Sequence, residues 1–148
     1  MDEQLVRETA SATDTEAFGA ELAAELRPGE VVLVSGELGS GKTTLVRGAC
    51  RALGVREPVQ SPSFVIGCRY QLPGGVEVSH LDLYRLGDLA GEEADLLADY
   101  LGPGRIAFVE WPGDDAATAL GGVVRLRLEL EHLGGERRRI EANWSSTS

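Results

Sequence analysis

The run Gly36-Glu37-Leu38-Gly39-Ser40-Gly41-Lys42-Thr43 has the spacing GxxxxGK followed by a hydroxyl residue, and each fixed position has a separate chemical reason. Glycines let a loop curl until successive backbone N–H groups converge on phosphate oxygens, and a helix that follows adds the positive end of its dipole. The Lys42 ammonium is a point charge able to reach β- and γ-phosphates, and the Thr43 hydroxyl is a hard oxygen donor suited to Mg²⁺. Glu37, Leu38, Gly39, Ser40, Gly41, Lys42, Thr43 and Thr44 are therefore the candidate contacts to the phosphates of a nucleoside triphosphate. Such a pattern arises by chance in on the order of one chain in two hundred of this length.

Phosphate binding alone does not move a proton or place a water, so carboxylates near the loop matter next. Ile106-Ala107-Phe108-Val109-Glu110 is an apolar run ending in an acid. In a parallel sheet such strand ends gather on the edge that carries the phosphate loop, which makes Glu110 a candidate metal ligand or water-orienting group. Asp82, closing Val78-Ser79-His80-Leu81, is a second candidate of the same kind. Two carboxylates beside one Mg²⁺ offset its charge while phosphates complete the shell. Ser61-Pro62-Ser63 reads from spacing as a proline-fixed turn, with the alternative that its hydroxyls sense the γ-phosphate or metal. His80, inside an alternating strand, reads as a packed, hydrogen-bonded histidine rather than a catalyst. Trp111-Pro112 stiffens the backbone after Glu110 and either packs beside the site or makes a core contact.

These groups need elements to hold them. Val31-Val32-Leu33-Val34 is a continuous apolar run, the pattern of a strand buried on both faces, and Lys42 to Leu53 reads as the helix after the loop. Upstream, Leu5 to Thr9 suits an opening strand, and Thr13 with Glu16 has capping-box spacing for a helix that presents Phe18, Leu22 and Leu26 on one face and stops at Pro28-Gly29. Phe64 to Tyr70 and Val76 to Asp82 are expected to form a hairpin around Pro73-Gly74-Gly75, Glu92 to Leu101 a helix, and Arg105 to Glu110 a buried strand. Val123 to Glu131 and Arg137 to Ala142 form a final hairpin across Gly134-Gly135. The expected fold is α/β, a three-layer arrangement of the P-loop NTPase kind around a central mixed, largely parallel sheet. It forms one domain over residues 1–144, with 145–148 a disordered tail.

The chain has 148 residues, 43% hydrophobic and 26% charged, which suits one soluble domain with a real core. No apolar run approaches the roughly 20 residues that span a bilayer, and no secretory signal is legible, so a cytoplasmic location is expected. Cys50 and Cys68 fall on a helix and a strand and read as free thiols. A net charge of -10 argues against independent nucleic-acid binding, because affinity for a phosphate backbone comes from Lys and Arg displacing counterions. The basic run Arg137 to Arg139 reads as a solvated strand edge.

The segments GELGSGKTT at the loop, SPSF from Ser61, HLDLYR from His80 and VEWP from Val109 follow one another in the order and spacing of the bacterial TsaE (YjeE) family, which this chain resembles from about Glu16 to Ile140. Those proteins are small P-loop ATPases of the tRNA threonylcarbamoyladenosine pathway. The resemblance implies that Lys42 and the loop amides bind ATP, that Thr43 and Glu110 hold Mg²⁺, and that Asp82 supports metal binding and hydrolysis. It implies also that Ser61 and Ser63 belong to a switch-like loop. Adenine contacts fall near Thr15 and Glu16 or on Arg139, where the match is loose. The implied partners are TsaD and TsaB, which transfer the threonylcarbamoyl group while this protein resets their complex with ATP. Ser40 departs from the family's usual alanine and Ser63 from its frequent threonine, and neither removes a needed group.

Rival readings are a small P-loop kinase and a nucleotide-dependent binding module without turnover. The kinase lacks its arginine-rich lid between Glu57 and Leu101, and a GTPase lacks its NKxD segment.

Overall fold

The structure, a computed structural model, describes residues 3–37, 40–59, 67–82, 100–110 and 124–145. Its elements in chain order are β1 (Glu3–Thr9), α1 (Ala12–Ala23), β2 (Val31–Gly36), α2 (Lys42–Leu53), β3 (Gly67–Gln71), β4 (Glu77–Asp82), β5 (Arg105–Glu110), β6 (Val124–Gly134) and β7 (Arg137–Trp144). Among the described residues they build a seven-stranded sheet in the order β1-β7-β6-β2-β5-β4-β3. The centre, β6-β2-β5-β4, is parallel, and β7 and β3 run against it on either side. β1 reverses again beside β7, so all strands but β3 and β7 share one direction. The mixed, largely parallel α/β sheet expected from sequence is thus present.

Because β2, β4 and β5 are parallel neighbours, Gly36, Asp82 and Glu110 all end on one edge of the sheet. The apolar run of β2 splits by strand alternation, with Val32 and Val34 facing a core shared with α1 and α2, and Val31 and Leu33 facing the other side. On that second side Tyr100 and Leu101 pack against Leu81 and Val109. Of the helix expected over 92–101, residues 92–99 lie outside the described ones, and Tyr100 lies in a turn.

Helices α1 and α2 cross at two glycines. A Cβ on Gly48 would stand 2.0 Å from the Glu16 carbonyl oxygen, and one on Gly19 would stand 2.2 Å from that of Leu45. Only glycine lets the backbones approach this closely.

Two local expectations shift. The capping residue of α1 is Ser11, whose Oγ accepts from the Asp14 amide at 3.1 Å while Asp14 accepts in return from the Ala10 amide at 2.9 Å. The helix cap therefore sits two residues before Thr13, with the return bond reaching one residue beyond the cap. Glu16 instead lies 3.6 Å from Arg47 and 3.9 Å from Arg51 on α2, which draws it away from its own backbone. The second shift concerns Arg138 and Arg139, which are not on an edge, since β7 is paired there by both β1 and β6; Arg137 is exposed and pairs with Gly134 of β6 alone.

Candidate functional site

The P-loop motif lies between β2 and α2, as its spacing requires. Gly41 caps the helix with φ +96°, a left-handed conformation that glycine adopts without strain, and no side chain caps the helix there. A glycine at the N-cap gives the first-turn amides of α2 no side-chain cap of its own, an arrangement suited to an anion. Ser40 is fully buried and its amide donates to the Glu37 carbonyl at 3.0 Å, tightening the loop before the helix starts. Leu38 and Gly39 lie outside the described residues.

Lys42, the first helical residue, is 5% exposed. Its ammonium donates to the carbonyls of Gly36 at 2.7 Å and Glu37 at 2.8 Å, with Ser40 Oγ at 3.4 Å. Burial lowers its pKa below 10.5, against the opposing pull of the Glu110, Asp82 and Glu37 carboxylates. Lys42 and both strand-end acids are thus electrostatic neighbours.

Thr43, one residue on, has its hydroxyl 3.3 Å from each carboxylate oxygen of Glu110, although the two residues are 67 apart in sequence. Glu110 is 2% exposed at the end of β5, and Asp82 is its register partner at the end of β4. Register partners project from the same face of a sheet, so both acids point to the side on which α2 packs. His80, two residues before Asp82 and wholly buried, places Nε2 in hydrogen-bond contact with Glu110 Oε2.

Thr43, Glu110 and Asp82 offer a hydroxyl and two carboxylates, hard oxygen donors of the kind Mg²⁺ takes. Among the described residues no group of three or more acidic, cysteine or histidine side chains could hold a metal by itself. Three such oxygens fit Mg²⁺, which keeps several shell positions for water or phosphate.

The remaining sequence candidates separate. Thr44 lies in the first turn of α2 and is half-buried. Ser61, Ser63 and Trp111 lie outside the described residues. Thr15 is buried, its hydroxyl sharing a 2.7 Å hydrogen bond with Thr9. Arg139 faces away from the helices, 3.8 Å from Glu141, and borders a cavity of about 250 Å³ that also touches Gly36, Glu37 and Glu131. On the helix side, by contrast, its neighbour Arg138 has Nε 3.3 Å from where a Cβ on Gly41 would stand. Strand alternation sends adjacent arginines to opposite faces, and sequence could not tell which of the two faces the loop.

A profile of the family described as "Threonylcarbamoyl adenosine biosynthesis protein TsaE" matches residues 9–140. The chain belongs to the TsaE family. It is 42% identical over 120 residues to the tRNA threonylcarbamoyladenosine biosynthesis protein TsaE of Streptomyces coelicolor, covering 80% of each chain. The Aquifex aeolicus protein of the same name is 34% identical over 132 residues, 88% of this chain and 89% of its own. In three dimensions the fold is similar to that of the YdiB crystal structure from Bacillus subtilis, with a TM-score of 0.71 and 28% identity over 99% of this chain and 88% of that one. The family's role lies in tRNA threonylcarbamoyladenosine biosynthesis, so that pathway is where this chain acts. No helix among the described residues is long and apolar enough to cross a membrane.

Proposed function

We propose that this chain is a cytoplasmic Mg²⁺-dependent ATPase of tRNA threonylcarbamoyladenosine formation, slow alone and productive on a complex of TsaD and TsaB. The observation that carries the reading is the meeting of Thr43 with Glu110 at 3.3 Å, directly beside Lys42 and the first-turn amides of α2. The loop amides and Lys42 would hold the phosphates and offset charge on the one being transferred, and Thr43 with Glu110 would hold Mg²⁺, with Asp82 in support. Bound there, Mg²⁺ would draw charge from the phosphate oxygens. Glu110 or Asp82 would position the attacking water. The role of TsaD and TsaB rests on the family resemblance, and the acidity of this chain suits a protein that leaves tRNA binding to its partners.

The deciding measurement is phosphate release from ATP by the native chain, Lys42→Ala and Glu110→Ala, each with and without TsaD and TsaB. Turnover is expected to rise with the partners and to collapse in both variants. Turnover surviving Lys42→Ala would remove the site, and nucleotide binding without any turnover, even with partners, would favour a binding module.

A further inference from the structure

His80 was read from sequence as a packed, hydrogen-bonded histidine, and the structure shows what it is bonded to. Its ring is wholly buried, and Nε2 contacts Oε2 of Glu110, the acid that faces Thr43. An ionised Glu110, the form that ligates a metal, presents only lone pairs, and toward that form Nε2 is the donor. Nδ1 has no partner among the described residues. The ring therefore spends its one described hydrogen bond on this carboxylate.

We infer that His80 is a positioning residue for Glu110, holding Oε2 so that Oε1 is presented to a divalent cation shared with Thr43. Geometry supports this in two ways. His80 is registered opposite Phe108 on β5, two residues before Glu110, so ring and carboxylate rise from the same face of neighbouring parallel strands and the donor approaches from within the sheet layer. Glu110 has several rotatable bonds, and its carboxylate, 2% exposed, has little water to hold it in place. A fixed donor removes the rotamers that would turn the oxygens away from Thr43. Partners of this kind, one shell out from a metal ligand, typically alter metal affinity by about 10- to 100-fold when lost.

This inference rests on the ATP and Mg²⁺ reading of the site, and its test can fail separately. Mn²⁺ would be titrated into the full-length chain with adenylyl imidodiphosphate and bound ion counted by electron paramagnetic resonance. His80→Leu, which keeps bulk but no donor, is expected to weaken nucleotide-dependent Mn²⁺ binding by roughly 10-fold or more. His80→Gln, whose amide reaches about as far as Nε2, should recover most of it, and His80→Asn, one methylene shorter, should not. A folded Leu variant that binds Mn²⁺ like the native chain would overturn the assignment, as would Gln and Asn behaving alike. The Gln and Asn pair decides the matter if Leu does not fold. A native chain showing no nucleotide-dependent Mn²⁺ binding would instead overturn the ATP reading itself.

Discussion

At Lys42 stability and the proposed function pull in opposite directions. Its charge is buried against carbonyl oxygens, and that burial lowers its pKa, so the fold penalises the protonated form relative to the unfolded chain. The unfolded chain then holds more protons between the lowered folded pKa and 10.5, and stability rises with pH through that interval. A Lys42→Met variant is accordingly expected to melt at the native temperature or above it, while losing on the order of a hundredfold or more in ATP turnover, as when a charge-stabilising donor is removed. Calorimetry and phosphate release on the same preparation check both halves. Glu110→Gln keeps the volume and the contact to Thr43 but gives up the negative charge, and should leave nucleotide binding in EDTA close to native while removing its enhancement by Mg²⁺. Fluorescence titration of a labelled ATP analogue with and without the metal reads this directly.

At the scale of elements, the closeness of α1 and α2 sets how well the loop is held, because α2 carries Lys42 and Thr43 at its start. Gly48→Ala would drive a methyl into the Glu16 carbonyl 2.0 Å away, and backbone cannot give as a side-chain tip can. The expected cost is at or above the about 1–3 kcal/mol typical of overpacking, roughly 2–10 °C in melting temperature for a domain of this size. A melt within one degree of native would contradict the close crossing. Cys50, on the buried face of the same helix, has its pKa raised from 9.0 to about 12 by desolvation. Between those values the unfolded thiol ionises while the folded one does not, so its contribution to stability is intact below pH 9.0 and lost as pH rises toward 12. Thiol-reactive dye at pH 8 should label the half-buried Cys68 and spare Cys50 until urea unfolds the chain.

For the whole molecule, the relevant quantities are net charge and ligand linkage. With a charge of -10 the chain alone should show no salt-sensitive binding to tRNA, which a gel-shift titration at low ionic strength would test. ATP with Mg²⁺ should stabilise the fold by about 2.7 kcal/mol at a hundred times the dissociation constant, and excess EDTA should remove the metal's share. No shift with ATP and Mg²⁺ would contradict the proposed site.

Much of this protein is legible in one dimension because its chemistry is local there. The P-loop spacing needs only consecutive residues, and a continuous apolar run marked β5 and the glycine-rich break marked the start of α2, at the bounds the structure shows, Arg105–Glu110 and Lys42–Leu53. The acidic ends of β4 and β5 could also be nominated, since parallel strands deliver their ends to one edge. What spacing could not supply was the choice among side chains whose roles depend on neighbours far along the chain. The α1 cap moved to Ser11 because Glu16 is drawn to arginines on another helix, and Arg138 rather than Arg139 lies over Gly41 because β7 register assigns the faces. His80 had the look of an ordinary core residue until β4 and β5 paired, and only that pairing placed its ring against Glu110. Sequence by itself determined the P-loop spacing, the positions of the strand-end acids and the family resemblance, because those are written in residue type and short spacing. Tertiary structure decided which groups touch, because contact across a sheet depends on strand order and register, which no local pattern encodes.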